Sequence, residues 1–268
     1  MIRTIKKIFA FIITITILIS VTSVTNAASN KNKLYIPILS YHHFMESDVQ
    51  KERYNTTMTA AQFEEQLKTL TEKGYNSISL RQLEAYMKKG EPLPENPYMM
   101  TIDDGYDSNY YYAFPVLKKY NAKAVIFVTV GRITYAPSKR WNQNTLIWMT
   151  WSQLKEKEES GHIEVQNHGY IHKPISEIPF DEFKESVIKG HEILKANLGE
   201  RKTKAFAYPH GQKTKEAEVF LKNNDYSIQF TTIPGSITKR SNMNNLPRIT
   251  IGFGKTGKEV IEMMKKYR

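Results

Sequence analysis

From Lys33 onward, short apolar runs alternate with amphipathic stretches, and four of the apolar runs lead into a histidine or aspartate that can do chemistry. That alternation fixes the class as α/β, because each strand–helix unit must bury one face against the next. Leu34 to Ser40 leads into Tyr41-His42-His43, and Thr59-x-x-Gln62 is a capping box opening a helix that Gly74 closes. Tyr75 to Leu80 reads as a strand, Arg81 to Lys89 as a short helix, and Gly90 to Pro97 as a proline-rich loop. Tyr98 to Asp103 is a strand ending in Asp103-Asp104-Gly105, and the helix expected over Tyr110 to Tyr120 should be bent or delayed by Pro115. Lys123 to Val130 has the composition of a buried strand, and Gly131 to Leu146 that of a long loop. A second capping box, Thr150-x-x-Gln153, opens a helix that Gly161 closes, and a strand from His162 to Asn167 meets His168. An amphipathic helix from Phe180 to Leu198 precedes a strand, Ala205 to Tyr208, that runs into Pro209-His210-Gly211. A helix near Lys213 to Asn223, strands near Ser227 to Thr231 and Leu246 to Ile251, and a C-terminal helix complete the pattern. With no internal repeat or composition break, it predicts one domain with a mostly parallel sheet, open or closed into a barrel.

The first 28 residues stand apart. Arg3, Lys6 and Lys7 precede an apolar run from Ile8 to Ile19, and Asn26-Ala27-Ala28 offers small residues for cleavage. This reads as a secretory signal peptide, with an uncleaved anchor as the alternative. The expected product, residues 29–268, would be secreted or held at the outer face of the cell envelope. The chain carries a net charge of +11, or +8 without that segment. Such a balance suits an anionic surface or polymer, but no nucleic-acid motif accompanies it. The chain has no cysteine, so disulfides, thiolate metal sites and cysteine nucleophiles are excluded, and any metal must be held by His, Asp or Glu.

Taken singly, the strand-end groups are ambiguous. Asp103-Asp104-Gly105 is also a good turn, and His168 and His172, four apart, are also ordinary surface residues. Together, two neutral imidazoles and one carboxylate make a three-ligand set with coordination positions to spare, where a divalent ion can lower the pKa of water. A second carboxylate can take the proton, and His42 or His43 is a candidate acid. His162 and His191 fall away from strand ends and read as structural.

These motifs resemble those of the polysaccharide deacetylases (carbohydrate esterase family 4, the NodB homology domain). Thr101-Ile102-Asp103-Asp104-Gly105-Tyr106 is similar to the first motif of that family, His168-Gly169-Tyr170-Ile171-His172 to its histidine pair, and Ala207-Tyr208-Pro209-His210-Gly211 to its third motif. The resemblance implies a distorted (β/α)7 barrel in a single domain. It makes Asp104, His168 and His172 ligands of a divalent cation, usually zinc, with cobalt or nickel as substitutes. Asp103 becomes the general base, and the backbone N–H of Tyr208 a donor to the oxyanion. The implied reaction is hydrolysis of N-acetyl groups on an N-acetylglucosamine polymer to free amine and acetate.

Two departures sharpen the reading. Many members draw the acid from a C-terminal Leu-x-x-His, whereas here Leu246-Pro247-Arg248-Ile249 has no histidine and none follows His210. The poly-β-1,6-N-acetylglucosamine branch resembles the chain better, with a Tyr-His segment before the Asp-Asp motif, and Ser40-Tyr41-His42-His43 followed by Arg53-Tyr54 keeps that order. His42 is then the acid and His43 the fallback. No arginine occupies the start of the third motif, so Arg248 is the candidate to orient the base. His210 stands where many relatives have tyrosine and could line the pocket. Trp141, Trp148 and Trp151 could stack on sugar rings or pack in the core. Peptidoglycan or chitin oligomers remain alternative substrates, a non-catalytic carbohydrate-binding protein is the alternative of another class, and a monomer is the default.

Overall fold

The computed structural model describes residues 33–46, 55–136 and 146–268; the N-terminal segment, Arg53-Tyr54 and Trp141 lie outside them. β1 (Ile36–Tyr41) is followed by β2 (His43–Met45) and β3 (Thr57–Thr59), which pair in parallel as a separate ribbon. Next come α1 (Ala60–Glu72), β4 (Asn76–Ser77), α2 (Leu80–Lys89) and β5 (Pro97–Asp104). α3 (Phe114–Lys119), β6 (Ala124–Val128), α4 (Trp151–Glu159) and β7 (Ile163–Asn167) follow. The remainder is α5 (Phe180–Leu198), β8 (Lys204–Ala207), α6 (Lys215–Asn223), β9 (Tyr226–Phe230), β10 (Ser236–Ile237), β11 (Ile249–Thr250) and α7 (Gly257–Lys266).

The main sheet runs β10-β1-β5-β6-β7-β8-β9, parallel throughout except where β10 joins β1. This is the α/β single-domain class the alternation demands, and Tyr35–Arg268 form one compact unit. Among the described residues no continuous ladder joins β9 to β1. The chain from Leu246 to Thr250 stands between them instead: Leu246 bridges Phe230, and Ile249 and Thr250 pair with Leu39 and Ser40. The strand expected over Leu246 to Ile251 is broken at Pro247, which has no N–H to give a ladder.

Other boundaries differ for equally local reasons. The strand expected over Tyr75 to Leu80 shrinks to Asn76–Ser77, because Ser79 accepts from the Gln82 amide at 3.1 Å and Gln82 caps back at 3.0 Å, starting α2 early. The helix around Pro115 does not begin cleanly: a π-helical turn, Asn109–Ala113, comes first.

Side chains alternate across the strands, and this sorts the core. One face of the sheet, with Ile36, Ile38, Met99, Val125, Phe127, Ala205 and Ile228, packs on Leu80, Leu83 and Met87 of α2. The other face, with Leu39, Met100, Ile126 and Val165, packs on α1, α4 and α7 through Phe63, Leu154 and Val260. Continued to the strand ends, the parity of the first face reaches His42, Asp103 and His168.

Candidate active site

Three residues far apart in sequence therefore meet at one sheet edge. Asp103, at the end of β5, is buried, and Arg248 grips it with a two-pronged contact: Nη1 donates to Oδ1 and Nη2 to Oδ2, both at 2.8 Å. Arg248 has no exposed surface, and two further donors go to the Thr231 carbonyl at 2.9 Å and the Thr101 hydroxyl at 3.1 Å. Its guanidinium is thus fixed, and so is the plane of the carboxylate. Burial works to raise the Asp103 pKa, but the charge and hydrogen bonds of Arg248 outweigh it and hold the carboxyl below its ordinary range. His42 Nε2 stands 3.9 Å from Asp103 Oδ2.

Asp104 would face away from this cluster if the strand simply continued. It does not, because Asp104 adopts φ +72°, a left-handed conformation that aspartate tolerates better than most residues, and Gly105 follows at φ +79°. A side chain at Gly105 would strike Val128 at 2.8 Å, so the turn requires glycine twice over. The Asp104 carboxylate consequently meets His172 Nε2 at 3.1 Å and His168 Nε2 at 3.7 Å. Burial opposes its ionisation, but the His172 hydrogen bond and the neighbouring imidazoles prevail and keep its pKa well below the usual carboxylate range.

His168 and His172 lie on a turn rather than a helix. Gly169 takes φ +85°, its amide donates to Asn167 Oδ1 at 2.8 Å, and Ser186 Oγ of α5 accepts from the amides of Tyr170 and Ile171 at 2.9 and 3.1 Å. His168 Nδ1 lies 2.7 Å from the Ala207 carbonyl, so Nδ1 carries the proton and Nε2 presents its lone pair toward Asp104. Burial pushes the His168 pKa down to about 4, which leaves the ring neutral, as a metal ligand must be. One ligand atom from each of Asp104, His168 and His172 lies within 4.8 Å of the others. Anionic oxygen, two imidazole nitrogens and a tautomer fixed from behind make a donor set that fits a divalent first-row ion.

The other candidates fall into place around this centre. His43 is buried on β2 with its ring 5.3 Å from that of Tyr106, and burial lowers its pKa to about 4. Trp151 is core, while Trp148 packs at a tilt on Tyr106, with ring centroids 5.6 Å apart, and is covered by the Arg132 guanidinium at 4.6 Å. His162 hydrogen-bonds the Ala122 carbonyl and His191 lies 3.7 Å from Glu200, both outside the cluster. The Tyr208 backbone N–H, expected at the oxyanion, is spent: it donates to the Phe230 carbonyl at 3.1 Å, alongside the β8–β9 ladder. Pro209 has no N–H, and the amides of Gly211 and Gln212 bond to Tyr208 and Pro209. The His210 amide has no partner among the described residues; its residue sits at φ +57°, with its ring 4.7 Å from that of His172. Ser186 and Asn167 escaped the sequence reading, although a serine on the apolar face of α5, between Phe183 and Val187, was the visible sign.

Comparison with known proteins agrees with this geometry. A family model described as polysaccharide deacetylase matches residues 90–228, just over half of the chain. A poly-beta-1,6-N-acetyl-D-glucosamine N-deacetylase of Staphylococcus aureus (strain MRSA252) is 26% identical over 209 residues, 75% of this chain and 70% of that protein. One of the same name from Escherichia coli (strain K12) is 26% identical over 259 residues, and the match spans 84% of this chain but only 38% of the longer relative. The solved structure of IcaB from Ammonifex degensii is 26% identical and superposes with a TM-score of 0.71 over 86% of this chain and 97% of that one. The strand-end aspartates and histidines thus sit in a recognised frame, and the chain belongs to the polysaccharide deacetylase family, hydrolases of non-peptide carbon–nitrogen bonds.

Proposed function

We propose that this chain is a secreted or envelope-facing, metal-dependent de-N-acetylase of poly-β-1,6-N-acetylglucosamine. The observation that carries the reading is the place of His42: it comes from the end of β1, ahead of the Asp-Asp motif, and its Nε2 lies 3.9 Å from Asp103 in a chain with no histidine after His210. Asp104, His168 and His172 would hold the cation, with zinc first by ligand type and cobalt or nickel also accepted. When bound, the ion supplies positive charge that acidifies water and polarises the acetamide carbonyl.

The chain's own groups do the rest. Asp103, its plane set by Arg248, takes a proton from the attacking water. The C–N bond of the acetamide breaks as His42 Nε2 gives a proton to the departing amine, so acetate and a free glucosamine nitrogen are released. The unspent His210 amide, rather than that of Tyr208, is the backbone donor available to the oxyanion.

The test is amine release from β-1,6-linked N-acetylglucosamine oligomers, chitin oligomers and peptidoglycan in parallel, with wild type and His42→Asn. Activity on the β-1,6 oligomers that His42→Asn lowers by about 10²–10⁴-fold is expected for loss of a general acid. Activity confined to chitin or peptidoglycan would overturn the substrate, and full activity of His42→Asn would overturn the acid.

A further inference from the structure

The basic balance of the sequence finds no use in the catalytic chemistry, and the structure concentrates part of it in one place. A cavity of about 500 Å³ opens beside the N-terminal ends of β8 and β9. Lys88, Arg201, Lys202, Lys204 and Lys222 line it, against the carboxylates of Glu84 and Asp225. Lys204 begins β8 whereas Ala207 ends it beside His168, so the cavity lies roughly 10 Å down the strand from the catalytic edge.

The two carboxylates do not neutralise the cavity. Glu84 is already engaged: it accepts from Lys88 at 2.6 Å, from Ser227 Oγ at 2.8 Å and from the Thr203 hydroxyl. Asp225 is largely exposed and only 3.8 Å from Lys204, a loose pair in water. Arg201 is bound to Glu158. Lys202 and Lys222 have no carboxylate within 4 Å among the described residues, and both are exposed at the mouth. A concave site with two ammonium groups in surplus and low-dielectric strands beneath focuses positive potential. Ordinary surface lysines spread over a convex face would not.

We propose that this cavity binds a phosphate group, on the side of the sheet away from the catalytic edge. A dianion matches the two unpaired ammonium groups of Lys202 and Lys222, which act as point charges with freely rotating donors. Occupation would hold the protein to a phosphate-bearing partner while His42, Asp103 and the histidine pair stay open at the other edge. The site stands apart from the deacetylase reading, because none of its residues touches the catalytic cluster.

The experiment compares the full chain as wild type, as Lys202→Glu/Lys222→Glu, and as a control carrying the same charge change on α1 and α7, Lys68→Glu/Lys258→Glu. Each is titrated with inorganic phosphate by calorimetry and sedimented with vesicles of phosphatidylglycerol and phosphatidylcholine; amine release is measured alongside. Saturable phosphate binding by wild type and control, weakened about tenfold or more in Lys202→Glu/Lys222→Glu with amine release intact, is expected. A parallel fall in vesicle binding identifies a lipid headgroup as the source of the phosphate, and unchanged vesicle binding identifies a free phosphate group. No phosphate binding by wild type, or equal weakening in the control pair, overturns the proposal.

Discussion

Arg248 and Lys157 are both without exposed surface, and both lie beneath the Asp103-Asp104 turn and its continuation, yet they are held in opposite ways. Arg248 meets a carboxylate, with two hydrogen bonds to Asp103 at 2.8 Å. Lys157, on α4, meets ring faces: its Nζ is 4.0 Å from the Phe114 centroid and 4.5 Å from that of Tyr110. Its one oxygen partner among the described residues is the Asn109 carbonyl, at 3.5 Å. Burial pushes the Lys157 pKa down to about 7 against the opposing charges of Glu156 and Asp107. A buried cation matched by an anion stays charged and fixes its partner; one matched by aromatic faces keeps its packing and gives up much of its hold on the proton. The first arrangement fixes the carboxylate of Asp103, the second packs against the π-helical turn that leads away from it.

Replacing each cation by methionine should break the symmetry of their burial. Arg248→Met leaves Asp103 buried without a counter-charge and should lower stability by about 3–5 kcal/mol in chemical denaturation. A milder loss would mean that the pair is dispensable. Gln153→Leu comes next. Gln153 spends Oε1 on the Thr150 amide at 2.7 Å and Nε2 on Asp107 at 2.9 Å, so its loss removes half of the α4 capping box and the tie to Asp107 together. About 1–2 kcal/mol is expected, read in the same titration.

The smallest effect, and one of opposite sign, belongs to Lys157→Met, which should be at least as stable as wild type at pH 7. The pH dependence follows from the depressed pKa. Between about 7 and the ordinary 10.5 the unfolded chain binds the lysine proton and the folded chain does not, so this group adds stability as pH rises through that window and removes it as pH falls. Melting temperatures of wild type should therefore gain on those of Lys157→Met between pH 7 and pH 9. Parallel curves would show that Lys157 keeps its charge throughout.

Local signals in the sequence carried far. The Thr59–Gln62 and Thr150–Gln153 boxes cap α1 and α4 as expected, and Phe180 to Leu198 forms the helix read from its periodicity. Strand parity alone aligns His42, Asp103 and His168. What stayed hidden is non-local or concerns the backbone. Arg248 reaches Asp103 across 145 residues, and only the lack of an arginine at the start of the third motif points to it. Whether the Tyr208 amide is free depends on Phe230 in the next strand, a pairing no motif displays. The turn at Asp104 depends on a left-handed φ that Asp-Asp-Gly permits without announcing.

The central claim is a division of labour between adjacent carboxylates, Asp104 with His168 and His172 to hold an ion and Asp103 with Arg248 and His42 to move protons. The direct measurement is metal content and amine release, taken together on Asp103→Asn and His168→Ala. Asp103→Asn should keep its metal and lose turnover by about 10²–10⁴-fold, while His168→Ala should lose both. Asp103→Asn that retains most of its turnover, or that loses its metal as His168→Ala does, would contradict the account.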